Sequence, residues 1–172
     1  ILNQIGNAEI TNQVDEKLLL KSLSELYVNI LVVNGPNLNL LGIREPNIYG
    51  IDTLGDIENW INDELSGSNI KLQWYQSNHE GKILDRLHRA MNDKKDGIII
   101  NPGAYTHYSY AIRDAISAIS IPTIEVHLSD IKSREKFRQA SVIQDVCLEQ
   151  ISGLGKNGYL EAIYALEKYL NR

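Results

Sequence analysis

Cysteine is almost absent from this 172-residue chain: Cys147 stands alone, so no intramolecular disulfide can form, and no Cys/His cluster has zinc-site spacing. An excess of basic charge is missing too, with 17 Lys and Arg against 22 Asp and Glu for a net charge of −5. A general binder of nucleic acid or anionic membrane needs the opposite balance. No apolar run approaches the ~20 residues of a membrane span, and no N-x-[ST] glycosylation sequon occurs. Near the start, Glu9, Asp15 and Glu16 stand where a secretory signal would be basic, so the expected location is cytoplasmic. A Walker loop is lacking. The one G-x-G-x-x-G match, Gly153-Leu-Gly155-Lys-Asn-Gly158, has no acidic residue about 20 positions on, as a dinucleotide site requires. Glycines for a tight strand-to-helix turn account for it better.

What is present is an ordinary globular composition, 43% hydrophobic and 23% charged, enough to build one core. Residues 1–14 are polar and aperiodic. From Asp15 to Tyr27, leucines at 19, 23 and 26 share one helical face, which predicts a short amphipathic helix. Residues 1–27 are therefore expected to be an N-terminal extension, and 28–172 a single α/β domain.

Strand and helix patterns alternate through that domain. Val28–Val33 is a short β-branched run suited to a buried strand. Thr53-Leu-Gly-Asp56 resembles a capped helix start, followed by Leu54, Ile57, Trp60, Ile61 and Leu65 at helical spacing. Ile70–Gln76 alternates apolar and polar residues, as an edge strand does. Ile83, Leu84, Leu87, Ala90 and Met91 mark a second helix, Ile98–Ile100 a third strand, and Ala111, Ile112, Ala115 and Ile116 a third helix. Thr123–Val126 and a weaker run at Val146–Ile151 are read as further strands, with a last helix at Gly158–Leu170 facing inward through Leu160, Ile163, Leu166 and Leu170. Such alternation implies right-handed crossovers and a parallel sheet covered on both faces. At this length a flavodoxin-like sheet of order 2-1-3-4-5 is the economical expectation.

In such sheets ligands bind beyond the carboxyl ends of the strands. Here those ends carry Asn34-Gly-Pro-Asn37, Gln76-Ser-Asn-His-Glu-Gly81, Asn101-Pro-Gly-Ala-Tyr-Thr-His107 and Glu125-Val-His127-Leu-Ser129. Three of the four histidines, 79, 107 and 127, thus gather at one end of one sheet. Polar groups concentrated there are costly to bury unless something uses them. The spacing of these histidines matches no metal motif. The long first loop places Arg44 five positions before Tyr49. Two readings fit it: a surface loop whose tyrosine packs on the sheet end, or a tyrosinate favoured by the guanidinium and able to take a proton next to a carbonyl.

The ordered blocks NGPNLNLLG, REP-x-IYG, QSNHEG, NPGAYTH, IRDA, IEVHLS, REKFR and GLG-x-x-GY span roughly Val28 to Leu170. Together they closely resemble the type II 3-dehydroquinate dehydratases, or type II dehydroquinases. The resemblance implies a flavodoxin-like lyase that converts 3-dehydroquinate to 3-dehydroshikimate through an enolate, in the shikimate route or in quinate catabolism. It implies no metal or organic cofactor and a dodecamer built from trimers. By motif, Tyr49 matches the proton acceptor, Arg44 its activating arginine, and Asn37 the residue of the enolate-side water network. His127 matches the proton donor to the departing hydroxyl and Glu125 the carboxylate beside it. Asn101, His107, Leu128, Ser129 and Arg138 match substrate-binding positions, with 128 and 129 offering backbone N–H groups to the substrate carboxylate. Asp114 matches an aspartate that reaches a neighbouring subunit's site. The rival expectation from the same fold is a ligand-binding module without catalysis.

This chain departs from the family pattern at Asp130, usually Asn, at Gln139-Ala140, and at Glu149, often Gly. Asp130 is expected to cap a short helix over 131–137, where Asp and Asn serve almost equally. Cys147 is expected to be a small buried hydrophobe, and His79 and Glu80 to orient neighbours without touching substrate.

Overall fold

A computed structural model describes residues 2–4, 7–8, 27–43 and 50–171. The helix expected over 15–27 lies outside these apart from Tyr27, as do Arg44 and Tyr49. Leu2–Gln4 and Asn7–Ala8 form a short antiparallel pair.

The domain is a five-stranded parallel sheet. Its strands are β1 (Val28–Asn34), β2 (Ile70–Gln76), β3 (Gly97–Asn101), β4 (Thr123–His127) and β5 (Glu149–Ser152). They run in the spatial order β2-β1-β3-β4-β5, the flavodoxin-like order. Between and after them come α1 (Leu54–Glu64), α2 (Glu80–Asn92), α3 (Tyr110–Ile119) and α4 (Asn157–Leu170).

Side-chain alternation on the central strands builds two cores. Ile30, Val32, Ile99, Ile124 and Val126 pack on one face against α1 and α4, while Leu31, Val33, Ile98 and Ile100 pack on the other against α2 and α3. Both faces of β1 and β3 are therefore apolar along most of their length, which is why they read as continuous hydrophobic runs, whereas β4 is apolar on one face only and turns Thr123, Glu125 and His127 to the other. On the edge strand β2, Lys71 and Gln73 are exposed between the half-buried Ile70, Leu72 and Trp74. The start of α1 is a full capping box: the Thr53 side chain accepts from the Asp56 N–H at 3.1 Å, and the Asp56 carboxylate accepts from the Thr53 N–H at 2.9 Å.

Four expectations need correction. Met91 is exposed rather than inward, because α2 buries Ile83, Arg86, Leu87 and Ala90. Ala111 also faces out, and Ile119 completes the inner stripe of α3. On α4 the inner stripe is Tyr159, Ala162, Ile163 and Leu166, which leaves Leu160 and Leu170 at its margin. Finally, β5 starts at Glu149; Gln144–Val146 forms a 3₁₀ turn, its approach set by the Ser141 hydroxyl, which accepts the N–H groups of Ile143 and Gln144. Among the described residues no helix is long and apolar enough to cross a membrane.

Candidate active site

Register brings three amide side chains level at the carboxyl end of the sheet, since Asn34 of β1 pairs with Gln76 on one side and Asn101 on the other. The loops that leave these strands are locked to one another. The Gly35 N–H donates to the Asn101 carbonyl at 2.7 Å, and a Cβ on Gly35 would lie 2.3 Å from the Pro102 carbonyl oxygen. Only glycine fits this approach of backbone to backbone. Asn37, in the left-handed region at φ 66°, directs its N–H to Asn78 Oδ1 at 2.9 Å, and Gln76 Nε2 donates to the same oxygen at 3.0 Å.

Above this floor lies a cleft of about 150 Å³. Asn37, Asn101, His107, His127, Leu128, Ser129 and Arg138 all line it, so seven of the eleven site residues expected from sequence converge there. Pro36, Leu38 and Arg134 complete much of the wall.

Glu125 sits behind the cleft, fully buried. It and His127 are two apart on β4 and so project from the same face of the sheet. Oε1 of Glu125 lies 2.7 Å from His127 Nε2 and also accepts from the Thr106 hydroxyl. Ser141 Oγ reaches both carboxylate oxygens at 3.0 Å, and Gln150 Nε2 donates to Oε2 at 2.7 Å. Burial alone would raise the carboxyl pKa. Hydrogen bonding and charge from His127, with the hydrogen bonds from Thr106 and Gln150, outweigh it and hold the group below its ordinary value. A buried carboxylate so surrounded stays ionised and fixes the imidazole beside it.

The remaining groups are positioned by different elements. His107 Nδ1 is 2.8 Å from the Ala140 carbonyl, which can only accept, so Nδ1 carries the proton in this contact. Arg138 Nε lies 3.2 Å, and Arg134 Nε 3.4 Å, from Glu135 Oε2, and the Arg138 guanidinium also covers the Phe137 ring at 4.9 Å. Asp130 accepts the Lys132 N–H at 2.9 Å, a capping bond, but the capped segment is a pair of 3₁₀ turns, Ile131–Ser133 and Lys136–Arg138, in place of the single helix expected. Gly153, at φ 82°, packs close against it; a Cβ there would stand 3.0 Å from Asp130 Cβ. The Gly155 N–H binds the Leu128 carbonyl at 3.0 Å, so the G-x-G-x-x-G segment serves as the turn that holds the Leu128–Asp130 loop. Among the described residues no group of three or more His, Cys, Asp and Glu could hold a metal ion.

Asp114, expected to reach a neighbouring subunit's site, and His79, expected not to touch substrate, do not line this cleft. Asp114 is exposed on α3, and His79 is exposed at the start of α2. Arg44 and Tyr49 lie outside the described residues; Gly50, which follows Tyr49, lines an adjoining, more open depression of about 640 Å³ together with Leu128, Ser129 and Arg134. Thr106, Ser141 and Gln150 were not anticipated from sequence. The available signal was Glu125 itself, a carboxylate between Ile124 and Val126 in a strand-forming run, which requires donors once buried.

A family model described as Dehydroquinase class II matches residues 28–167. A protein from Caldicellulosiruptor saccharolyticus named 3-dehydroquinate dehydratase is 57% identical over 141 residues, which are 82% of this chain and 97% of that protein. A 3-dehydroquinate dehydratase of Bacillus mycoides is 56% identical over 141 residues, 82% of this chain and 96% of that protein. Among solved structures, the type II dehydroquinase from Butyrivibrio crossotus superposes with a TM-score of 0.80 at 54% identity, covering 82% of this chain and 98% of its own. That from Propionibacterium acnes gives a TM-score of 0.73 at 38% identity, covering 86% and 99%.

Proposed function

This chain belongs to the class II dehydroquinase family, and from that premise we propose how its own residues run the reaction. The reaction is the dehydration of 3-dehydroquinate to 3-dehydroshikimate, a lyase step of the shikimate pathway. The observation that carries the assignment of residues is the convergence of Asn37, Asn101, His107, His127, Leu128, Ser129 and Arg138 on one cleft, with Glu125 buried behind His127.

Tyr49, kept as tyrosinate by the Arg44 guanidinium, takes the proton alpha to the ketone, and the C–H electron pair becomes an enolate. Asn37 and the water it holds stabilise the enolate charge. Collapse of the enolate expels the hydroxyl, which takes a proton from His127 and leaves as water, giving a conjugated enone. The Glu125 bond occupies Nε2 of His127, so Nδ1 is the nitrogen left to serve the cleft. Arg138 and the N–H groups of Leu128 and Ser129 receive the substrate carboxylate, while Asn101 and His107 bind its hydroxyls. Gly50, the residue after Tyr49, lines a depression with Leu128 and Ser129, which supports a role for Tyr49 at this end of the cleft.

Residues 28–172 form the catalytic unit and 1–27 an extension. Subunits assemble as a dodecamer of trimers in the cytoplasm, and Asp114 reaches a neighbour's site. The exposure of Asp114 on α3, near exposed Tyr108 and Tyr110, supports the last point.

The decisive assay is enone absorbance on addition of 3-dehydroquinate. Tyr49→Phe should lose turnover while substrate still binds; intact turnover with only affinity lost overturns the assignment of the base. Borohydride added with substrate should leave the enzyme active, because no imine forms.

A further inference from the structure

Three buried side chains beneath the cleft form one hydrogen-bonded line. Tyr159, in the first turn of α4, is fully buried against Trp74, the ring centroids 5.7 Å apart. Its hydroxyl lies 2.5 Å from Asn34 Oδ1, a residue 125 positions away, and 3.1 Å from Asn101 Nδ2. The far end of the line is a backbone group: the Gly103 N–H reaches Asn101 Oδ1 at 3.3 Å.

That fixed donor sets the polarity of everything behind it. The Gly103 N–H can only donate, so the oxygen of the Asn101 amide faces it and the nitrogen faces Tyr159. The phenol then accepts from Asn101 and must give its single proton to Asn34 Oδ1. Burial pushes the Tyr159 phenol above its ordinary pKa, so it stays neutral and keeps the proton this line requires. One hydrogen of Asn101 Nδ2 is spent on Tyr159. The other remains for a ligand, since Asn101 lines the cleft.

We propose that Tyr159 is a positioning residue for substrate binding: its hydroxyl locks the Asn101 amide in the orientation that offers an N–H donor to a substrate oxygen. The proposal rests on Asn101 being a substrate-binding residue, the role given to it under the proposed function.

Steady-state kinetics of Tyr159→Phe, Asn101→Ala and the double variant test it, with thermal melts as a check on folding. Tyr159→Phe should raise KM by about five- to tenfold with kcat within about twofold of the parent, the mark of lost uniform binding. In the double variant KM should be no higher than in Asn101→Ala alone, because the hydroxyl acts only through that amide. Effects that multiply, or an unchanged KM in Tyr159→Phe while Asn101→Ala raises it, overturn the proposal and leave the reading of Asn101 standing. An unchanged KM in Asn101→Ala overturns that reading, and the proposal with it. Should Tyr159→Phe be unfolded at the assay temperature, its kinetics are read below its melting temperature, and an unchanged KM there is equally an overturning result.

Discussion

Glu125→Gln is the substitution that most directly probes the buried carboxylate. It keeps shape and volume but removes the charge and turns one acceptor oxygen into a donor. Every neighbour of that carboxylate is itself positioned to donate: His127 Nε2 at 2.7 Å, Ser141 Oγ at 3.0 Å, Gln150 Nε2 at 2.7 Å and the Thr106 hydroxyl. Whichever way the amide turns, its NH₂ meets donors. A hydrogen bond to a charged group contributes about 1.5–3 kcal/mol, and each 1.36 kcal/mol is tenfold in rate. If the Glu125–His127 bond acts fully in the step that protonates the leaving hydroxyl, kcat should fall by about 10- to 200-fold. KM should move less, because Glu125 lies behind the cleft and not on it. Stability gives a second readout. The folded-state carboxyl sits below its ordinary value of 4.5, so the stabilisation it contributes is full above that pH and fades as pH falls through the folded value. The gap in Tm between parent and variant should therefore be widest near neutrality and narrow as pH drops below about 4.5. Enone absorbance and melts from about pH 7 down to about pH 3 measure both. A variant with kcat within about twofold of the parent, or a Tm gap that does not narrow in acid, would refute the reasoning.

Other consequences are equally direct. Gly35→Ala puts a Cβ 2.3 Å from the Pro102 carbonyl oxygen, a backbone atom with little room to yield, so the variant should lose about 1–3 kcal/mol and about 2–12 °C in Tm. Asp130→Asn should change KM less than about tenfold, since the amide still caps the Lys132 N–H; steady-state kinetics of that variant suffice, and a larger change would mean the carboxylate faces the substrate. Cys147 should resist thiol reagents at about pH 8 in the folded protein and react on unfolding, because burial, with the Glu125 charge adding to it, pushes its thiol pKa up to about 12.

Local chemistry makes much of the molecule legible in its sequence. β1 and β3 are covered on both faces, so most of their residues had to be apolar in a row. The α1 start was readable because a capping box needs only residues three apart. The gathering of Asn37, Asn101, His107 and His127 came from the rule that parallel strands end on one edge, once strand and helix alternated. Inner stripes were less legible. Met91 and Leu160 are as hydrophobic as their neighbours, and only the rotation of each helix on the sheet decides which of them is covered.

Tertiary structure alone decided what surrounds the functional groups. Thr106, Ser141 and Gln150 stand 19, 16 and 25 residues from Glu125, on three different segments, and no spacing rule links them. Asn34 and Tyr159 meet across 125 residues because β1 is an interior strand of the sheet while α4, last in the chain, packs back over it. Sequence periodicity records what a residue's own strand or helix requires of it. The partners of a buried carboxylate or phenol are chosen by register and crossover, which bring distant segments within hydrogen-bond reach, and the desolvation cost of an unpaired polar group then makes those partners necessary.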